Sequence, residues 1–214
     1  MNDYEEIAPN LPESCAVMVL PNAALFPHHR MPLYIFEDRY RAMLADALEG
    51  DRMFAIAMPK ENAGEEPENF EAIGGLGLVR ACVQQEDGTA QLVLQGLSRV
   101  RFTGEVSLCP YRFCGIEPLQ SRILEAKTAT EWLGRLRESG QQLAQRRPET
   151  FKALGEICLI ELEPEMQSDL ISGALPMAQN LSMRLLSETV VERRLEFLTR
   201  IVEAILMNLE EGSS

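Results

Sequence analysis

The spacing of apolar residues changes near Leu119 and divides the chain into two halves. Before this point, short apolar and β-branched runs are separated by glycine and proline, which predicts β-strands. After it, apolar residues recur at helical spacing. We therefore predict an α+β protein with a β-rich subdomain over residues 1–119 and a helical bundle over residues 120–214.

The first half is predicted to hold about six short strands and one helix. The helix covers residues 38–48, whose apolar side chains fall on one face. Asp87-Gly88 between two of the strands is typical of a hairpin turn, because this pair tolerates positive φ. Lys60 to Glu71 is acidic and interrupts the pattern as an exposed loop. Such short strands suit a rolled sheet or pseudo-barrel, and they are predicted at residues 15–20, 53–58, 78–84, 91–95, 99–106 and 111–117.

Two helices of the second half begin with the spacing of a capping box, Thr128 with Glu131 and Thr189 with Glu192. The first runs to about Arg147, and shorter helices follow over residues 149–161, 169–174 and 177–186. The last helix shows the a/d spacing of a packing seam over only about three heptads. We therefore predict packing within the chain's own bundle, through Val191, Leu195, Leu198, Val202, Ile205 and Leu209.

Composition narrows the possible partners. The 20 basic and 33 acidic residues give a net charge of −13, which repels phosphate backbones, so nucleic acid is not an expected partner. Arg99, Arg101 and Arg112 could align on neighbouring strands, and we interpret them as a solvated face. No apolar run reaches the roughly eighteen residues of a membrane span, and the acidic amino terminus does not resemble a signal peptide. These features predict a soluble cytoplasmic protein.

Motifs for cofactor and metal binding are absent from the sequence. No G-x-x-x-x-G-K-[ST] phosphate-binding loop occurs. Gly74, Gly75 and Gly77 lack the third glycine of a dinucleotide fingerprint, and we predict a bend between strands there. The adjacent His28 and His29 lack the spacing that directs two imidazoles at one metal from a helix. We therefore expect no cofactor and no metal.

The cysteines contain no C-x-x-C pair and are expected to be reduced and mostly buried. A nucleophile at Cys15 or Cys82 with His28 as its base stays open, since such partners meet only in the fold. The cysteines are Cys15, Cys82, Cys109, Cys114 and Cys158.

The segment from Leu20 to Tyr40, LPNAALFPHHRMPLYIFEDRY, combines three prolines with several large apolar residues. Proline fixes φ, so the segment is predicted to be a rigid, well-packed connection between a strand and the first helix. Large apolar side chains such as Phe26, Leu33 and Phe36 are explained by a structural role, although ligand contact stays open.

The same segment resembles the opening motif of the amino-terminal domain of Lon-type proteases. The shared marks are Leu20-Pro21, Phe26-Pro27, Pro32-Leu33 and Ile35-Phe36-Glu37. The likeness continues at residues 73–77, 94–100 and 111–119, less distinctively at 169–176 and 191–195, and covers most of the chain.

The resemblance implies a β-rich fold of the pseudouridine-synthase-associated (PUA-like) type followed by a helical bundle. It also implies a role in holding protein substrates or partners. The ATPase motor and the Ser-Lys proteolytic domain of a full Lon protease do not fit within 214 residues, so we expect a free-standing, non-catalytic module rather than an enzyme.

The expected partners are protein or peptide ligands, bound at an exposed sheet edge or groove by a monomer or weak homodimer. Candidate contacts are Tyr34, Asp38, Arg39 and Arg41, although a solvated helix surface also accounts for them. Three alternatives stay open: a regulatory adaptor that docks on a separate protease or chaperone, an RNA-binding protein, and a small hydrolase with an unrecognised Cys or Ser nucleophile.

Overall fold

The computed structural model describes residues 11–60, 69–107 and 110–211. Within these ranges six strands and one helix precede a group of five helices, which confirms the predicted α+β class. The first group comprises β1 Ser14–Val19, β2 Arg30–Ile35, α1 Asp38–Glu49, β3 Met53–Ala57, β4 Ile73–Gln84, β5 Ala90–Ser107 and β6 Arg112–Leu119. The second comprises α2 Ala126–Arg146, α3 Pro148–Leu159, α4 Pro164–Ala174, α5 Gln179–Ser187 and α6 Val191–Glu211.

The six strands form one mixed sheet in the order β2-β5-β4-β3-β1-β6. β1 and β3 are parallel, and the other neighbouring strands are antiparallel. β6 also pairs with the second half of β5. The strand pairings therefore connect β5, β4, β3, β1 and β6 in a ring. β2 is added to the first half of β5, outside this ring.

Two predictions about the strands need correction. The predicted strands over 91–95 and 99–106 are one continuous strand, β5, which passes through Gly96. The segment between β1 and α1 was predicted to be a connection, but it contains β2. β5 can continue because its partner changes along its length, from β2 to β6, while β4 pairs with both halves.

The glycine cluster does not form a bend. Gly74, Gly75 and Gly77 lie inside β4 and pair with β5, and Gly75 and Gly77 also pair with β3. A Cβ atom on Gly75 would overlap the carbonyl oxygen of Leu25, so the segment before β2 can cross the strand only where a side chain is missing.

The helical half packs around α6. Val191, Leu195, Leu198 and Val202 of the predicted seam are fully buried, and Ile205 and Leu209 are partly buried in the same cluster. α2 and α6 form the main helix pair, so the seam packs within the chain as predicted. Phe26 from the first half also belongs to this cluster. The boundary at Leu119 stays a prediction.

Both capping-box predictions are wrong. Glu125 stands at the N-cap of α2 without a side-chain cap, and the Thr128 hydroxyl instead donates to the Glu125 carboxylate at 2.7 Å. Glu192 accepts hydrogen bonds from the backbone N–H groups of Leu124 and Glu125 at 2.6 and 2.5 Å. Its carboxylate therefore holds the start of α2, a helix from a different part of the chain.

Arg99 joins β5 to the helices. Its side chain is 1% exposed and forms a two-pronged ion pair with the buried Asp169 of α4, with Nη1 2.9 Å from Oδ2. Its Nε also donates to the carbonyl of Leu186 at 3.1 Å. Arg112 pairs with Glu105 at 2.7 Å. The interpretation of these arginines as one solvated face is therefore wrong, because Arg99 is buried.

Candidate protein-binding groove

An open groove of about 460 Å³ lies over the outer face of β2, β5 and β4. Strand alternation turns Leu33 and Leu92 toward the core beside α1, so their neighbours along each strand face outward. The register arranges these outward residues in two cross-strand rows, Pro32-Val93-Ala81 and Tyr34-Gln91-Val83. We refer to this surface as the sheet groove.

Large apolar side chains in and beside the sheet groove are exposed. Tyr34 is 55% exposed, and Val83 and Phe36 are each 60% exposed. The rings of Tyr34 and Phe36 stack with their centroids 5.9 Å apart. Aromatic and aliphatic groups gathered on one surface are typical of a protein-binding site, because burying them against a partner removes apolar area from water.

The edge of β2 is less suited to binding than the face. Among the described strands, β2 pairs only with β5, so its outer edge carries no strand. Pro32 stands in the middle of β2 and has no N–H group to donate to an added strand. A ligand strand would therefore lose a ladder hydrogen bond there, which favours side-chain contacts across the face over strand addition at the edge.

Three of the four predicted contact residues lie at the hairpin end of the sheet groove. Tyr34 lines the groove itself, one row from the β4–β5 turn. Arg41 forms an ion pair with Asp38 at 3.1 Å, and its guanidinium lies against Gly88 in that turn. Asp38 is 97% exposed, so its carboxylate is accessible to a ligand as well as to Arg41.

Arg39 is directed elsewhere. Its guanidinium lies 2.7 Å from the Glu37 carboxylate and 4.5 Å from the centre of the buried Tyr40 ring. The Tyr40 hydroxyl contacts the backbone of Val19 in β1. Arg39 therefore covers an aromatic ring of the core rather than the sheet groove. Its role in binding stays a prediction, as do those of the other three residues.

The interpretation of Phe36 as a buried structural residue is wrong, because its side chain is 60% exposed. Val83 and Val93 were not identified from the sequence as surface residues. A half-buried strand should alternate apolar and polar residues, but the run Leu92-Val93-Leu94 is apolar on both faces. This continuous run in a hairpin strand was the available signal for an apolar outer surface.

The thiol groups do not resemble catalytic nucleophiles. Burial, more than any other effect, raises the pKa of Cys15 to about 12. Burial also raises the pKa of Cys82, against an opposing effect of Arg52. An activated thiol needs the reverse shift, so the hydrolase alternative gains no support. Cys109 lies outside the described residues; the cysteines that the structure describes are free and not disulfide-bonded.

The described residues contain neither a metal-binding cluster nor a membrane-spanning helix. No group of three or more His, Cys, Asp or Glu residues is placed to hold a metal ion. None of the described helices is both long and apolar enough to cross a membrane.

The six-stranded sheet and its helical bundle define an α+β domain with an exposed groove on the sheet. The family model of the substrate-binding domain of ATP-dependent protease La (Lon) matches residues 14–204. The chain belongs to this family.

Relatives with this domain are much longer than the chain. The chain is 23% identical over 205 residues to a Lon protease of Desulfosudis oleivorans, an alignment that covers 94% of the chain and 25% of that protein. It therefore spans about a quarter of the curated relatives that it matches.

Two solved structures share the fold. The N-terminal domain of Mycobacterium avium complex Lon protease has a TM-score of 0.71 at 15% identity, covering 89% of this chain and 98% of that one. A Lon N-terminal domain protein from Xanthomonas campestris has a TM-score of 0.58 at 20% identity, covering 86% and 96%.

Proposed function

We propose that the chain is a non-catalytic module that binds extended, apolar segments of other proteins in the sheet groove. The observation that carries the proposal is the exposed apolar surface formed by Tyr34, Phe36 and Val83 around the groove. The family's description as a substrate-binding domain supports a protein ligand. The adaptor role remains a finer alternative, since an adaptor would also bind protein segments.

The shape of the groove favours an extended ligand. It is open and spans three strands, so a polypeptide can lie over it and place alternate side chains against the two rows. Unfolded segments expose apolar side chains that folded proteins bury. The net charge of −13 adds a preference for neutral or basic segments over acidic ones.

The direct test measures fluorescence anisotropy of labelled peptides of alternating apolar and basic residues against wild-type protein and variants. Tyr34→Ala and Val83→Lys should each weaken binding about tenfold, or about 1.4 kcal/mol, because each removes an exposed apolar contact of the groove. Val106→Lys is the matched control, since Val106 is a strand valine that is 66% exposed and does not line the groove.

Equal losses of affinity in Val83→Lys and Val106→Lys would contradict the proposed location of the site. If neither the wild-type protein nor the variants bind the peptides, the proposed function is wrong. Sedimentation velocity provides the second check. If Val83→Lys dissolves a dimer of the wild-type protein, a second copy of the chain covers the sheet groove instead of a peptide.

A further inference from the structure

A second cavity, of about 370 Å³, lies between α5 and α6, and none of its lining residues lines the sheet groove. Its charged lining contains more arginine than glutamate. In a protein with a net charge of −13, such a concentration of basic groups is a local exception. The charged residues are Arg184, Arg193, Arg194, Arg200, Glu188 and Glu196.

Two of the four arginines are matched by carboxylates of the cavity. Arg200 pairs with Glu196 at 2.6 Å, and Arg193 lies 4.0 Å from the Glu188 carboxylate. The Arg184 guanidinium instead lies 3.8 Å from the centre of the Phe197 ring. Within the part of the chain that the structure describes, no carboxylate oxygen forms an ion pair with it.

Arg194 is the other unmatched arginine. Its side chain is fully buried and lies 3.7 Å from Asp169, whose two oxygens are both bound by Arg99. These three buried groups carry two positive charges and one negative charge. With Arg184 added, and the nearby Glu165 carboxylate counted against them, they leave an excess of about one to two positive charges in and behind the cavity wall.

Arg194 also has buried hydrogen-bond donors without an acceptor within the described part of the chain. Its Nη1 donates to the Ser121 hydroxyl at 2.8 Å and to the Glu188 carbonyl at 3.3 Å. Its Nε and Nη2 have no hydrogen-bond acceptor among the described residues. Burial, followed by the charge of Arg99, lowers the pKa of Arg194 to about 10. Buried donors without an acceptor are uncommon and call for a partner.

We propose that the cavity binds a small organic phosphate monoester. A phosphate monoester carries about 1.5 to 2 negative charges at pH 7, which complements the excess of positive charge. Its tetrahedral oxygens suit the planar donors of guanidinium groups. Leu185 and Phe197 also line the cavity and provide an apolar wall for the organic part. One water molecule occupies about 30 Å³ in the liquid, so the cavity has room for roughly a dozen waters. This is more space than a phosphate ion alone needs.

The test titrates the full chain with phenyl phosphate at low ionic strength and follows ³¹P chemical shifts and calorimetric heats. Arg184→Gln should weaken phenyl phosphate binding about tenfold, because it removes one charge-assisted contact. Glu196→Gln should strengthen binding, since it removes an anion that competes for Arg200. Arg135→Gln is the control: Arg135 also lies over an aromatic ring, Trp132 at 4.6 Å, but outside the cavity.

Saturable binding that follows this order of variants would support the proposal. Unchanged affinity in Arg184→Gln, equal loss in Arg135→Gln, or no binding would overturn it. Inorganic phosphate should bind more weakly than phenyl phosphate. Equal affinities would mean that the cavity recognises only the phosphate group, which would overturn the proposal of an organic monoester. Tighter binding of a phosphorylated peptide than of phenyl phosphate would overturn the small-molecule assignment in favour of a phosphorylated protein.

Discussion

Replacement of Asp169 by asparagine should strongly destabilise the fold. The change preserves the size of the side chain but leaves Arg99 and Arg194, 1% and 0% exposed, without the carboxylate between them. Removing one partner of a buried ion pair costs about 3–5 kcal/mol, because the remaining charge stays away from water. This loss is large beside the roughly 5–15 kcal/mol that stabilise a typical domain.

Urea unfolding, followed by Trp132 fluorescence and far-ultraviolet circular dichroism, measures the loss. Asp38→Asn is the matched control, since Asp38 pairs with Arg41 at 3.1 Å but is 97% exposed. A surface pair of this kind contributes about 1 kcal/mol or less. The two variants make the same chemical change and differ mainly in burial, so the contrast between them isolates the effect of burial.

A double variant tests the reasoning further. Arg99→Met combined with Asp169→Leu removes the Arg99–Asp169 ion pair and fills its space with apolar atoms, while Arg194 loses the Asp169 carboxylate in both variants. It should be less destabilised than Asp169→Asn, because no guanidinium of Arg99 remains to be compensated. A loss below about 1 kcal/mol in Asp169→Asn, or a double variant that is no more stable than the single one, would refute the argument.

Two further predictions concern the sheet and the start of α2. Gly75→Ala should cost about 1–3 kcal/mol in urea unfolding, since the new methyl group overlaps the Leu25 backbone, whereas Gly104→Ala, with open space around it, should cost much less. Although burial raises the pKa of Glu192, backbone N–H donors at the start of α2 lower it below its ordinary value of 4.5. Its stabilising effect is present above the unfolded pKa and lost as pH falls through the lower folded pKa, so Glu192→Gln should reduce the loss of unfolding free energy on acidification below pH 4.5.

Elements with a clear period could be predicted from sequence. The buried face of α1 and the seam of α6 follow the helical repeat, and the Asp87-Gly88 turn joins β4 to β5 as predicted. In each case the signal lies within a short stretch of chain, so local preference and tertiary structure agree.

Features that depend on distant partners could not be predicted. β2 is a strand because β5, which lies far along the chain, pairs with it. Arg99 is buried because Asp169 meets it from α4. Glu192 has capping-box spacing but binds the start of α2 instead. No local pattern identifies such partners, and the sheet groove was missed as a unit because it combines residues from three strands.

The ring of pairings has a consequence for the order of folding. β4 and β5 are neighbours in the chain, whereas β1 and β6 meet at Cys15 and Cys114, nearly half the chain apart. Contacts between nearby residues cost less loop-closure entropy, so the β4–β5 hairpin is expected to form first and the β1–β6 pair last. Until that last pairing forms, both β1 and β6 expose an unpaired edge, which makes the interval before closure the stage most open to association between chains.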